Sequence, residues 1–328
     1  MEIKGILVSA IAPFENHIAN GGEKLLGNAS SIKRRPDGRV YVSGQMQRHV
    51  LFSAIDRLNL SDSNKDKTFV SNGDGISNQI ENDLRADMGG FMHPSKGDYS
   101  GRRTAPLSVT PAVALDESEV KPDLLVRIQT NVKGEHAYSD GYIIRDAETE
   151  KEAKGETEQK QALATKEFSQ KDLMYMNFFL DISSLSISKA FKYENNFNIE
   201  TKYFKHAKET ERKRRARLYL EATKLMNDYA SQARNAVSGE PQKVLIVFDT
   251  VLSRKAIRYF IAGEQEQKNI LKELDERESV YFFGDDTTNI SVNMAYKGAL
   301  KFLEENNLFD PSEGDSKVVS FQEAFGRE

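Results

Sequence analysis

Apolar positions along the chain fall into short runs whose period separates strands from helices. Gly5 to Ile11 is a continuous apolar run of strand length, closed by the turn-forming Pro13. Val40 to Val42 is a second strand-like piece and leads straight into a helix. There Met46, Val50, Leu51, Ala54, Ile55 and Leu58 recur at helical spacing, and Ser43 stands where an N-cap is needed. From Ser61 to about Gly101 the composition turns to Ser, Asn, Asp, Lys and Gly, an insertion with room for a short helix between Ile76 and Met88. RRTAPLSVTPAVAL follows with its two prolines, and Leu124 to Thr130 reads as a strand. The stretch from Asn131 to about Lys171 carries too little apolar surface to form a core of its own. Met176 to Ser183 is again a strand. One long helix is predicted over Lys208 to Val237, with Leu218, Ala222, Leu225, Tyr229, Ala233 and Ala236 on its apolar stripe and Gly239 and Pro241 stopping it. Lys243 to Val251 is the most buried-looking strand, and Val280 to Phe283 is another.

With the insertions set aside, the order is strand, helix, strand, strand, helix, strand. This α+β order is the ferredoxin-like pattern on which RNA-recognition domains are built. The aromatic RNP1 string of those domains is absent, so an RNA contact would follow another scheme.

Composition narrows the class. The 328 residues suffice for one large domain with insertions. No apolar run approaches the roughly 18 residues of a membrane span, and the first residues carry acid and no cleavage signal, so a cytoplasmic protein is expected. Zero cysteines exclude disulfides, thiolate metal sites and cysteine nucleophiles. The net charge of -4 speaks against a nucleic-acid binder, but the sum conceals segregation. Met1 to Arg48 nets +3, densest at Lys33-Arg34-Arg35, and Thr201 to Arg217 nets +6. Glu304 to Ser316 holds five acids and no base.

Most catalytic signatures fail. Asp62-Ser-Asn64-Lys-Asp66 begins like a calcium loop, but Lys67 replaces its glycine and Gly73 its bidentate Glu. His17, His49, His93, His136 and His206 show no ligand spacing, and no phosphate-loop or nucleophile-elbow string occurs. Asp181 and Asp249 could serve as acids, yet satisfied strand-end carboxylates are the better reading. Four stretches do combine glycine, Asn or Gln with bases: Asn20-Gly21-Gly22 through Gly27-Asn28, Lys33-Arg34-Arg35, Ser43-Gly44-Gln45 through Arg48-His49, and Gly101-Arg102-Arg103 leading to Pro106. Glycine lets a backbone approach a phosphate, and arginine binds it bidentately.

Taken together, GNASSIKRRPDGRVYVSGQMQRHVLFSAI, MGGFM and RRTAPLSVTPAVAL resemble the DevR-type branch of the RAMP superfamily, the backbone subunits of type I CRISPR effector (Cascade) complexes. The motif order agrees over about the first 130 residues. The resemblance implies a modified RRM/ferredoxin-like palm (1–58, 122–130 and 172–328, with C-terminal elements), an inserted finger (59–121) and an inserted thumb hairpin (131–171). It implies a non-catalytic subunit in antiviral defence that binds the crRNA guide, oligomerises head to tail into a helix along it, and meets the target DNA strand and other CRISPR effector subunits. Guide-backbone contacts would fall on Asn28, Lys33, Arg34, Arg35, Gln45, Arg48 and His49, with Arg102 and Arg103 beside them. Met174, Tyr175, Met176, Tyr138 or Tyr142 could supply a wedge between bases, or simply pack a strand. The alternative is a metal-dependent RNA endonuclease of the same superfamily. Glu15, Glu23 and Asp37 lie where related type III subunits carry a cutting Asp, but in no matching string, so no nuclease activity, metal or cofactor is expected. A cytosolic polymerising protein without nucleic acid is the reading from outside the superfamily.

Overall fold

The computed structural model describes residues 1–19, 23–24, 30–71, 79–93, 99–129, 137–139, 142–145, 160–230, 236–313 and 317–325. In chain order its main elements are β1 (Gly5–His17), α1 (Gly44–Ser61), α2 (Leu84–Gly89), β2 (Phe91–His93), β3 (Tyr99–Arg103), β4 (Leu107–Val109), β5 (Ala112–Ala114), β6 (Val120–Gln129), β7 (Lys160–Asp181), β8 (Ile187–Glu194) and β9 (Phe197–Lys205). Then come α3 (Glu209–Ala222), β10 (Lys243–Asp249), α4 (Glu264–Glu276), β11 (Val280–Asp285), α5 (Val292–Glu305) and α6 (Phe321–Phe325). The protein is α+β.

β1 lies between β10 and β7, and all three run antiparallel to their neighbours. β11 extends the sheet beyond β10, while β4 and β5 pair with the other edge of β7. Both sheet faces are covered, which is why β1 is a solid apolar run instead of an alternating one. On one face Ile6, Val8, Phe178, Leu180, Ile246 and Phe248 pack under α1, α3 and α5. On the other, Leu7, Phe179, Leu245 and Val247 pack under a 3-10 helix at Lys255–Ile261 and under α4. These seal with Ala256, Ile270 and Leu274.

Several expectations need correction. The first strand does not close at Pro13 but runs to His17. Its pairing with β10 ends at Ile11, so by Pro13 only β7 remains alongside, and a missing N–H is tolerated on an edge. The long helix ends at Ala222, not Val237: Thr223 turns its hydroxyl back to the Leu220 carbonyl at 2.7 Å and toward Tyr296 at 3.0 Å. The chain beyond it is irregular over 225–229, where Met226 and Tyr229 enter the core. β7 starts at Lys160, far ahead of Met176, because its polar first half pairs residue for residue with β6 from Val120–Ser169 to Gln129–Lys160. The 22 residues of β7 span about 70 Å of extended chain, serving first this ribbon and then the central sheet.

β8 and β9 form a hairpin that the apolar pattern does not announce. Its turn residues Asn195 and Asn196 have φ of 49° and 69°, the left-handed pair of a tight hairpin turn. β3 and β2 continue this hairpin into a four-stranded sheet ordered β9-β8-β3-β2. The chain end returns to it: Val319 donates to the Lys205 carbonyl at 2.8 Å, and Phe321 and Phe325 of α6 pack with Phe91 and Phe204. No described helix is long and apolar enough to cross a membrane.

Candidate nucleic-acid interface

Residues 33–41 form a small hairpin. Arg34 bridges Val40, the Arg35 amide donates to the Arg39 carbonyl at 2.9 Å, and Tyr41 donates to the Lys33 carbonyl at 3.2 Å. Pro36-Asp37-Gly38 makes the turn, with Gly38 at φ 80°. The hairpin therefore carries Arg34, Arg35 and Arg39 within a few residues, Arg34 and Arg35 exposed. Arg34 makes only a loose pair with Glu167 of β7 at 3.4 Å. Asp37 is bound by Arg39 at 2.6 Å, and that hydrogen bond holds its carboxyl below the usual range.

Tyr41–Val42 pairs with β5 and leads directly into α1. Ser43 caps the helix as expected, its hydroxyl accepting from the Met46 amide at 3.2 Å. At Gly44 a Cβ would lie 3.3 Å from the Val109 carbonyl oxygen, a tight contact, so glycine lets the helix start sit close on the β4–β5 turn. Gln45 and His49 are exposed on the first turns, and His49 Nε2 stands 3.8 Å from Asp228. Arg48 is half-buried, stacked 5.5 Å from the Phe52 ring and donating to the Gly89 carbonyl at 2.9 Å. Burial and, after it, the neighbouring Arg85 lower its pKa.

That last bond joins two of the sequence strings, and the third meets them one residue later. Gly90 has φ 80°, and a Cβ on it would fall 2.6 Å from the Ala105 amide nitrogen and 2.8 Å from the Arg103 carbonyl. Helix start, double glycine and proline string thus converge on one corner of the fold.

Behind this corner lies a buried charge cluster. Asp87 is fully buried and accepts from Arg103 at 2.8 Å, Arg215 at 2.6 Å and the Ser186 hydroxyl at 2.7 Å. Burial pushes its pKa up, but Arg103 and Arg215 outweigh that and hold it at about 2. Burial also works against both guanidinium charges. On Arg215 the pull of Asp87 and Glu211 prevails and its pKa rises, whereas on Arg103 burial prevails and its pKa falls. Arg103 further donates to the Ser184 and Ile187 carbonyls, at 2.6 and 3.2 Å. Arg212 reaches the Leu185, Ile182 and Phe309 carbonyls, and Arg214 reaches Asn59 and Glu211.

The expected site residues therefore divide. Lys33, Arg34, Arg35, Gln45 and His49 share the region of the hairpin and the start of α1, and Arg48 turns partly inward. Arg103 faces the core and is withdrawn as a contact. Arg102 lies in β3, its backbone paired with Met92. Asn28 lies outside the described residues. The basic run at the start of α3 is likewise no open surface, since Arg212, Arg214 and Arg215 are buried in ion pairs. Met174 and Met176 are fully buried and pack the sheet, Tyr175 is half-buried, and the side chains of Tyr138 and Tyr142 lie outside the described residues. His17 and His206 are buried and hydrogen-bonded to Asp172 and to Ser188 and Val319. Asp181 and Asp249 are satisfied strand-end carboxylates, held by Ser183 and Ser184 and by Arg277 and Ser279. Sequence reading missed Arg39 as a member of the basic hairpin, although Pro-Asp-Gly between Arg34-Arg35 and Arg39 was the signal for it.

Residues 8–238 match a family model described as CRISPR-associated negative auto-regulator DevR/Csa2. Among solved structures, the chain resembles one chain of a "CRISPR RNA-guided surveillance complex" at 15% identity, covering 91% of this chain and 99% of that one, with a TM-score of 0.46. It resembles a chain of a "CRISPR RNA-guided surveillance complex, pre-nicking" at 12% identity, with the same coverage and TM-score. No curated protein sequence matches it.

Proposed function

Because the chain belongs to the DevR/Csa2 family, the backbone subunits of type I CRISPR surveillance complexes, we propose that it binds guide RNA without cutting it. The family match over residues 8–238 carries this reading. The basic hairpin at 33–39 and the exposed start of α1 are the proposed track for the guide backbone, through Lys33, Arg34, Arg35, Arg39, Gln45 and His49. Contacts to phosphate and sugar carry no sequence information, as a subunit that accepts any guide requires. Target recognition is then left to base pairing. Copies repeat head to tail along the guide, a heterologous contact that generates an open helix.

The central sheet supports an RRM-like palm. Its strands run β10-β1-β7-β4/β5, with α1 and α3 on one face. The face that an RNA-recognition domain exposes is here covered by the 3-10 helix and α4, which suits a guide path along the hairpin and helix start instead. The thumb expected at 131–171 is proposed to include β6 as well, because residues 122–129, which the resemblance gave to the palm, pair with Lys160–Glu167 of β7. Asp37, tied to Arg39, has the place of a structural carboxylate and not of a nuclease residue.

The test is purification followed by charge reversal. The wild-type chain copurifies with RNA of uniform length. Arg34→Glu with Arg35→Glu weakens RNA binding with little sequence dependence and flattens the dependence of log K on log salt by about 2, one unit per lost phosphate contact. An unchanged slope removes the hairpin from the interface, and metal-dependent cleavage of a guide-matched RNA, lost in Asp37→Ala, refutes the non-catalytic reading.

A further inference from the structure

We propose that the outer face of the β8–β9 hairpin, with the cavity at its foot, is a second binding site for single-stranded nucleic acid, separate from the basic hairpin. Strand alternation puts Lys189, Phe191 and Tyr193 of β8 on one face, and Lys189 pairs across the ladder with Tyr203 of β9. The other face is closed by α6 and the aromatic cluster of Phe91, Phe204, Phe321 and Phe325. On the open face the Phe191 and Tyr193 ring centroids are 6.4 Å apart at 39°, and Tyr193 is 52% exposed. Lys189 is exposed, its ammonium 5.5 Å from the Tyr203 ring, and it forms no ion pair among the described residues. Aromatic rings on a sheet beside a cation supply what an unpaired strand needs: planes on which bases stack and charge for the phosphates.

The cavity adds a chemical preference. It has a volume of about 450 Å³ and is lined by Phe91, Arg103, Ser183, Ser184, Lys189 and Phe191 among others, with no carboxylate among them; Arg103 is held from behind by Asp87 and offers no free charge here. That is within the ordinary range for a small-ligand site. Ser183 and Ser184 donate their hydroxyl protons to Asp181, at 2.5 and 2.8 Å. Their oxygens therefore present lone pairs, which accept from an exocyclic amine and have nothing to give a carbonyl. A base stacked against Phe191 with an amino group at this edge is favoured: cytosine over uracil, at equal ring size. The rings on this face beside Lys189 favour an unpaired nucleic-acid strand as the occupant, because they offer stacking planes as well as charge; a second copy of this chain is the alternative that the experiment excludes.

The experiment uses the full chain with whatever RNA it carries, and fluorescein-labelled C12 and U12 as RNA and C12 and T12 as DNA, read by anisotropy at fixed salt. Wild type binds C12 more tightly than U12 or T12. Phe191→Leu and Lys189→Glu each weaken C12 binding about tenfold, Phe191→Tyr restores it to within about twofold, and Ser184→Ala narrows the C-over-U ratio. Arg34→Glu with Arg35→Glu leaves that ratio unchanged, so this site stands or falls apart from the guide track. A tighter RNA arm assigns the face to RNA and a tighter DNA arm to DNA, both within the proposal. Lys189 is exposed, so its variant keeps the wild-type melting temperature and guards against misfolding. Unchanged C12 affinity in a folded Lys189→Glu overturns the proposal, as does equal affinity for C12 and U12. Loss of self-association by light scattering in these variants, with oligonucleotide binding intact, assigns the face to a second copy and overturns it too.

Discussion

Replacing Asp87 with alanine tests the charge cluster that joins α2, β3 and α3. The substitution removes the carboxylate between two buried arginines and leaves both guanidinium groups in place. Removing one partner of a buried ion pair costs about 3–5 kcal/mol. Neither arginine is left bare: Arg215 keeps Glu211 at 2.8 Å, and Arg103 keeps the Ser184 and Ile187 carbonyls. The middle of that range, about 4 kcal/mol, is therefore expected. An unfolding entropy near 2.1 cal/mol/K per residue gives this chain about 0.7 kcal/mol/K, so the melting temperature falls by about 6 °C. Circular dichroism melts at pH 7 measure it, with Lys268→Ala as the control. That lysine holds an exposed helical pair with Glu264, and its loss moves the midpoint by less than about 1 °C. The acid limb gives a second check. The folded pKa of Asp87 is depressed to about 2 from 3.8, so its contribution is complete above about pH 4 and is lost as pH falls through 2. The gap between wild type and Asp87→Ala in denaturant titrations should narrow by about 2 kcal/mol over that window. A variant that melts within about 1 °C of wild type at pH 7 refutes the reasoning, because the arginines would then have found water.

Gly90→Ala combines a left-handed φ with a contact of 2.6 Å to backbone, and should cost at least about 2 kcal/mol and loosen Arg48 from Gly89, read by melting and by proteolysis between α1 and β4. His206 is buried neutral, its pKa depressed by burial and then by Arg103 to about 4 from 6.5. Its contribution is present above pH 6.5 and lost as pH falls to 4, so wild type should lose about 3 kcal/mol more over that window than His206→Gln in matched denaturation curves. Ser43→Ala removes the cap of α1 and should cost about 1 kcal/mol, with hydrogen exchange faster at the Met46 amide.

The parts legible in the sequence were those set by local physics. Ser43 and the apolar spacing after it specify α1, and the unbroken apolar runs at Gly5 and Lys243 specify strands buried on both faces. Turn chemistry was also present, as Pro36-Asp37-Gly38 and Asn195-Asn196, but those residues sit among polar neighbours that hide the short strands around them. Long-range pairing was not legible. The run Lys208 to Arg217 reads as a solvated basic surface because Asp87, which neutralises Arg215, lies 128 residues away. Arg103 misleads for the same reason. Conversely, Lys189, Phe191 and Tyr193 become a surface only because β3 and β9 flank β8 and because the chain end covers the opposite face.

β7 has a mechanical consequence. One strand is both an arm of the ribbon and a central member of the core sheet, and Ser169 pairs with both Val120 of β6 and His17 of β1. A load applied to the ribbon along its length is thus delivered to the core as shear, shared among the β1–β7 hydrogen bonds at once instead of opening them one by one. The ribbon is fastened to the sheet by the same strand that builds it, over the whole run from Lys171 to Asp181.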